Sequence, residues 1–479
     1  MKSDIVVIGG GASGLMAAYS AALTSATLFE KESASDPSAQ PRSVTLLERM
    51  PRPARKIMIS GKGRCNFTNF KEWNDFSSHV KAGQKLLKNA FYNLPPTKLI
   101  ELLESYGLKS VIERGDRAFP ESHHASEVVD SLVLACQSKG VKIETETEVS
   151  SIAPLPDGGF EINSSDGRNW KCAKLIVATG GLSYPTTGSN GDGLIWAKQC
   201  GHTLTPIFPS LTALVPAGYK LDAESTEYPA DFDPYSLAQG KNLHIDRSSP
   251  LSELGESLCG VSLKNISVRL MVEGNVADEE FGDIDFTDGG IEGPIGFALS
   301  RKAVKSLVGG SRVALSLDLK PGVSLTELTT RVHDLWTEVD KDPRSVRLRE
   351  KEKCRIMLGK LMPWDLIPGF VKCNPQIMTL ERKSRTETKL WINLTSIAKA
   401  LKDWKFDIAG FVGYERCVVT AGGVSADSVV PKTLESRVCP GMYFCGEILD
   451  IDADTGGYNL QSAFSTGYLA GENAAKSLF

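Results

Sequence analysis

Residues 9–14 read Gly9-Gly10-Gly11-Ala12-Ser13-Gly14, a GxGxxG spacing carried by Gly9, Gly11 and Gly14. Glycines so placed can cradle a pyrophosphate. The first permits a tight turn, the second lets phosphate approach the backbone, and the third lets a helix close on a strand. The setting supports this chemistry. Asp4 to Ile8 is β-branched and apolar, like a buried parallel strand, and Leu15 to Leu23 is rich in Ala and Leu, like a packed helix. The start of such a helix offers N–H groups and partial positive charge to phosphate. A signal peptide fits poorly, because three glycines break its apolar centre and Asp4 stands where positive charge belongs.

Three more stretches carry residues of the same kind. An acid about twenty residues beyond the glycines should bind a ribose hydroxyl at the end of the second strand. Glu30, after Ala26-Thr27-Leu28-Phe29, has the better distance, whereas Glu48, after Ser43-Val44-Thr45-Leu46-Leu47, has the better strand. Glu48 is preferred, and residues 24–42 are then an insertion. Residues 53–69 interleave glycine with cations and amides, among them Gly61, Arg64, Cys65 and Asn66. Such a loop can bring N–H groups and positive charge to a phosphate or a ring edge. Lys174 to Ala178 is a buried strand stopping at Thr179-Gly180-Gly181. Near the C-terminus an apolar strand stops at Gly446-Glu447, and the pair Gly456-Gly457 opens a helix near Tyr458 through Asn459, Leu460 and Gln461. An acid there can accept from a ribityl hydroxyl, and the helix start can face N1/O2 of a reduced flavin, a term of up to ~2 kcal/mol.

These parts need large elements to hold them. The chain has 479 residues, enough for two or three domains. Its formal net charge of −4 makes no electrostatic case for nucleic acid, and no apolar run is long enough to span a bilayer. Ten scattered cysteines without CxxC read as reduced thiols of a cytoplasmic protein, and six dispersed histidines show no metal-ligand spacing. Two helices broken at Pro95-Pro96 are expected over 83–107, and another over 123–139 with Ser122 as N-cap. Residues 203–216 and 257–319 alternate like the strands of a barrel, 217–256 read as a long mobile loop, and 324–404 are mostly helical. The expected organisation is an α/β, two-dinucleotide-type (Rossmann-like) domain in two pieces, 1–195 and 406–479. Between them lie a β-barrel-like insert, 196–322, and a helical insert, 323–405.

The motifs SGKGRCNFTN, ATGGLSYPTTGSNGDG, TAGGVSADSVVPKTLES and GMYFCGEILDIDADTGGYNLQSAFSTGYLAG follow the glycine fingerprint in order. Together they resemble bacterial NAD(P)/FAD-dependent oxidoreductases of the aminoacetone-oxidase-like or BaiN-like kind, over nearly the whole chain. The resemblance implies FAD, contacted by Ser13, Glu48, Arg55, Lys56, the backbone near Val149, and Glu447 with Asn459 to Gln461. It implies a small-molecule substrate and NADH or NADPH as a candidate electron donor. The family's usual FTHxGLSGP reads Phe286-Thr287-Asp288-Gly289-Gly290-Ile291-Glu292-Gly293-Pro294 here, so position 288 carries no expected role in proton transfer. No general acid or base is assigned; Tyr184, Arg117 and Tyr458 are near the motifs. The leading function is an FAD-dependent oxidoreductase moving hydride through flavin N5. The alternatives are an FAD-dependent tRNA-modifying enzyme, disfavoured by charge and by the lack of a basic–aromatic run, and a non-catalytic FAD-binding partner protein.

Overall fold

The run Ile5-Val6-Val7-Ile8 has no polar alternation, so it belongs between two covered faces of a sheet. In the computed structural model, which describes residues 1–36, 39–221, 245–382 and 388–479, that is where it lies. Strand β1 (Lys2–Ile8) is flanked by β2 (Val44–Leu47) on one side and β6 (Asn169–Val177) on the other, both parallel to it. β3 (Lys142–Glu144) extends the sheet beyond β2, again parallel. The first half of β6 pairs antiparallel with β5 (Phe160–Ser164), which carries β4 (Val149–Pro154). Its second half pairs parallel with β7 (Met442–Phe444), so the far end of the chain completes the sheet. The carboxyl ends of β1, β2, β6 and β7 point the same way, the side on which open α/β sheets bind ligands.

Helix α1 (Ala12–Ser35) and the C-terminal α2 (Tyr458–Lys476) cover this sheet and pack on each other through small residues. A Cβ on Gly467 would lie 2.2 Å from Ser13 O, and one on Gly471 would lie 2.1 Å from Ala17 O. Only hydrogen fits at either position. Gly14 serves the other contact of α1, since a Cβ there would come within 1.8 Å of Gly9 O.

The chain divides into two compact units, 1–210 with 414–479, and 211–413. The second holds a closed antiparallel barrel of six strands, ordered Leu214–Pro216, Gly290–Glu292, Asn275–Thr287, Ser262–Val272, Val313–Asp318 and Trp404–Phe411. Phe286, Trp404 and Phe406 fill it, with ring centroids 4.7–6.0 Å apart. Four helices, Leu325–Lys341, Glu350–Gly359, Ile367–Cys373 and Leu394–Lys402, lie between its last two strands.

Several expectations need correction. Residues 24–35 continue α1, with Glu30 on an exposed turn, so Ala26 to Glu30 is no strand. No proline or glycine occurs between Gly14 and Pro37, and the place beside β1 is taken by Val44–Leu47. Strand Leu204–Ser210, expected in the barrel, pairs with Val419–Val424 in the first unit. A helix, Pro294–Val308, interrupts the expected run of strands. The last barrel strand ends at Phe411, so the unit boundaries fall at 210/211 and 413/414 rather than 195/196 and 405/406. His124, not Ser122, is the N-cap of helix Ala125–Ser138; Ser122 Oγ accepts from the His124 N–H. The described ends of 217–256 are held in place. Lys220 Nζ donates to the carbonyls of Arg247 at 2.6 Å and Ser249 at 3.0 Å, and Ser252 caps the short helix Glu253–Leu258. Residues 222–244, with Tyr228 to Pro234, lie outside the described residues. Asp288 faces Arg247 Nε at 3.0 Å.

Candidate functional site

The carboxyl ends of the parallel strands open on a cleft of about 1400 Å³, its solvent-open part included. Of the residues singled out in sequence, Gly9, Gly11, Ser13, Glu48, Arg55, Lys56, Val149, Thr179, Gly180, Gly446, Glu447, Asn459 and Leu460 line it.

The turn into α1 supplies the centre. Gly9 has φ +101°, and a Cβ there would meet Ala178 O at 2.4 Å, so the turn requires glycine. Gly11 is the N-cap and no side chain caps the helix. A Cβ on Gly11 would meet nothing within 4 Å, which leaves an open cradle above the first N–H groups. At one end of the cleft Glu48 is buried and accepts from Gly10 N–H at 2.6 Å and Met50 N–H at 2.7 Å. Burial raises its carboxyl above the ordinary range despite those bonds and the nearby Arg49 charge. Elsewhere on the wall Lys56 Nζ meets Glu447 Oε2 at 3.0 Å and Ser183 Oγ at 2.9 Å, and Glu447 also accepts from Ser183 Oγ and from Thr420 N–H at 2.7 Å. Burial opposes ionisation of Glu447, but the Lys56 charge and these bonds outweigh it and hold the carboxyl below its usual range. Asn459 and Leu460 bring the first turn of α2 to the wall. That helix too lacks a side-chain cap.

The remaining expected residues are used elsewhere. Gly14 and Gly457 serve packing; a Cβ on Gly457 would strike the Thr68 carbonyl at 2.4 Å. Gln461 is fully buried, accepting from Thr68 Oγ1 and donating to Leu94 O at 2.8 Å. Arg64 pairs with Glu113 and lies 4.4 Å from the Phe119 ring centroid. Cys65 is buried with its thiol pushed up to about 12 by burial, which makes it inert. Gly61 and Asn66 also lie off the cleft wall, which residues 54–57 and Ser60 reach. Residues 53–69 do not act as one loop: a helix over Arg55–Ile59 turns only the first part inward. Tyr184, Arg117 and Tyr458 do not line the cleft; Tyr458 stacks on His79 with centroids 4.3 Å apart.

Sequence reasoning missed Arg49 and Trp196, whereas Asp192 lies in the segment Ser183 to Gly193 that could face a flavin or nicotinamide. Arg49 Nη1 meets Asp192 Oδ2 at 3.2 Å across the cleft wall, between two segments whose pairing no local spacing reveals. Among the described residues, no group of three His, Cys, Asp or Glu could hold a metal ion. Likewise no helix among them is long and apolar enough to cross a membrane.

A flavin dinucleotide fits these residues on two observations: the cradle over Gly11 is empty of side chains, and the helix start beneath it has no side-chain cap. Fold and cleft together define a Rossmann-type dinucleotide-binding protein. Residues 3–473 match the HI0933-like protein Rossmann domain, and the chain belongs to that FAD-binding family. It is 30% identical over 472 residues to the 3-dehydro-bile acid delta(4,6)-reductase of Clostridium scindens, covering 98% of this chain and 99% of the relative. It is also 27% identical over 480 residues to the ribosomal RNA dihydrouridine synthase of Escherichia coli, covering 99% of each. Among solved structures, 3-ketosteroid delta1-dehydrogenase from Sterolibacterium denitrificans aligns with a TM-score of 0.47 at 12% identity, over 99% of this chain and 100% of that one.

Proposed function

We propose that this protein reduces a carbon–carbon double bond conjugated to a carbonyl, with NADH or NADPH as the electron source. The bile acid reductase and the RNA dihydrouridine synthase are named for the same bond change on different rings, which supports this reaction class over others open to the fold. When bound, FAD supplies two-electron hydride transfer. The N–H groups above Gly11 would hold the pyrophosphate, and Glu48 would take ribose hydroxyls at one end. Lys56, held by Glu447 and Ser183, keeps a cation on the cleft wall. The uncapped start of α2 at Asn459 and Leu460 favours negative charge beside it. The observation that carries the reading is that two uncapped helix starts, from opposite ends of the chain, reach one cleft.

The test is anaerobic. The purified yellow protein is mixed with NADH or NADPH and its flavin spectrum followed, then a cyclic conjugated enone is added. Bleaching by one nucleotide and recovery of the yellow band on addition of the enone is the expected result. A flavin that bleaches but is not reoxidised by any conjugated enone refutes the reaction class. A protein that stays colourless with excess FAD refutes the site.

A further inference from the structure

Helix Asp192–Gln199 brings Asp192 and Trp196 to the cleft wall and ends at Cys200, its C-cap. Cys439 stands in the turn that enters β7, where its carbonyl accepts from the Met442 N–H at 3.1 Å. Both turns belong to the same compact unit and lie side by side: a Cβ on Gly201 would be 3.2 Å from Val438 Cγ1. Buried His202 joins them. Its Nδ1 meets the Ala197 carbonyl at 2.8 Å, and a carbonyl only accepts, so Nδ1 carries the proton. Burial favours the neutral ring, and Nε2 then accepts from Ser436 Oγ at 2.6 Å. Ser436 Oγ in turn accepts from the Val438 N–H at 3.0 Å and the Cys439 N–H at 2.7 Å. This buried network pins the Cys439 turn against the end of the helix.

Within that frame the two thiols hydrogen-bond each other, so their sulfurs already face as a disulfide requires. Their surroundings differ. Cys200 is partly exposed and Cys439 is buried. The bond from Cys439 favours a thiolate on Cys200 and brings it down to about 7, while the same bond and burial push Cys439 up. A low pKa with partial exposure marks a reactive thiol. The other partly exposed thiols lack this activation: burial pushes Cys259 up, and Cys373 up to about 11.

We propose that Cys200 and Cys439 form a reversible redox site, in which Cys200 reacts with hydrogen peroxide and Cys439 resolves the product. The Cys200 thiolate attacks one peroxide oxygen, the O–O bond breaks, and the departing hydroxide takes up a proton to become water. Cys200 is then a sulfenic acid. The Cys439 sulfur attacks the Cys200 sulfur, the S–O bond breaks as the S–S bond forms, and the hydroxyl leaves as water with the Cys439 proton. Two thiols lose two electrons and one peroxide becomes two waters. A dithiol reductant reverses the change by exchange. The bond joins segments far apart in the chain, so it restricts the unfolded state and the oxidised protein should melt at a higher temperature. The site is independent of the cleft chemistry, and either reading can fail without the other.

The test uses the full-length yellow protein, treated with hydrogen peroxide, alkylated and mapped by peptide mass spectrometry, with its thermal midpoint measured in parallel. The parent should yield a peptide linking Cys200 to Cys439 and a raised midpoint, and dithiothreitol should reverse both. Cys439→Ser should leave the sulfenic acid standing on Cys200, where dimedone captures it. Cys200→Ser should give neither a linked peptide nor a dimedone adduct at Cys439. Unchanged FAD absorbance shows that both variants are folded. An unmodified Cys200 in the treated parent, or its passage to the sulfinic acid with no linked peptide, overturns the proposal. A link found only in disulfide-bonded dimers, or a linked protein that melts no higher than the reduced one, overturns it as well.

Discussion

The contact between α1 and α2 offers a sharp test of how packing positions the cofactor. Alanine at Gly467 or at Gly471 would place a Cβ 2.2 Å from Ser13 O or 2.1 Å from Ala17 O, where ordinary contact begins at 3.4 Å. Each variant must therefore open the helix pair locally by about 1.2 Å in a close-packed interior. Overpacking of this kind costs ~1–3 kcal/mol, and both variants should lose similar stability in denaturant unfolding of the FAD-free protein. They should differ at the cleft. Ser13 lies in the first turn of α1 and lines the cleft, whereas Ala17 sits one turn deeper and does not. Gly467→Ala should thus displace the N–H groups over the phosphate site and weaken FAD binding tenfold or more, while Gly471→Ala should weaken it far less. Fluorescence titration of FAD into the two apo-proteins measures the difference. Equal FAD affinities, or two variants as stable as the parent, would refute the argument that this helix contact sets the phosphate site.

Gly11→Ala makes the converse perturbation. Its Cβ meets nothing within 4 Å of protein and its φ of −75° suits any residue, so apo stability should change by less than ~0.5 kcal/mol while FAD affinity falls, as calorimetric titration would show. Glu447→Gln removes the charge that faces Lys56. Because the folded carboxyl sits below its usual range, its stabilisation is fully present above the unfolded pKa of about 4.3 and is lost as pH falls through the folded value. Parent and variant stabilities should therefore differ at neutral pH, by ~1.5–3 kcal/mol for charge-assisted bonds, and converge in acid. Among the cysteines, a hydrogen bond from Cys439 brings the Cys200 thiol down to about 7, whereas burial pushes Cys65, Cys136, Cys172 and Cys445 up to about 12. Iodoacetamide at pH 7.5 should label Cys200 ahead of these four, as peptide mass mapping would report.

Local chemistry was legible where the residue type and its immediate neighbours settle the outcome. Gly9, Gly11 and Gly14 could be assigned to turn, cradle and packing because strand, glycine spacing and helix are contiguous. Glu48 could be preferred to Glu30 because Val44–Leu47 is a better strand. Local charge pairing was not legible for the opposite reason: a net charge averages over 479 residues, and whether Lys353 or Lys360 is free depends on Asp340 and Glu338 of the preceding helix.

By itself, then, the amino-acid order determined the nucleotide-binding turn, the strands that flank it and the membership of both chain ends in one α/β domain. These follow from short-range sterics and from periodicities of a few residues. Only the tertiary structure decided that residues 26–30 continue a helix and that Leu204–Ser210 leaves the barrel for Val419–Val424. It likewise decided that Gln461 and Arg64 are spent on Thr68 and Glu113 rather than on the cleft. In each case the deciding partner lies tens to hundreds of residues away, and what competes for a side chain becomes known only once the chain has brought that partner alongside.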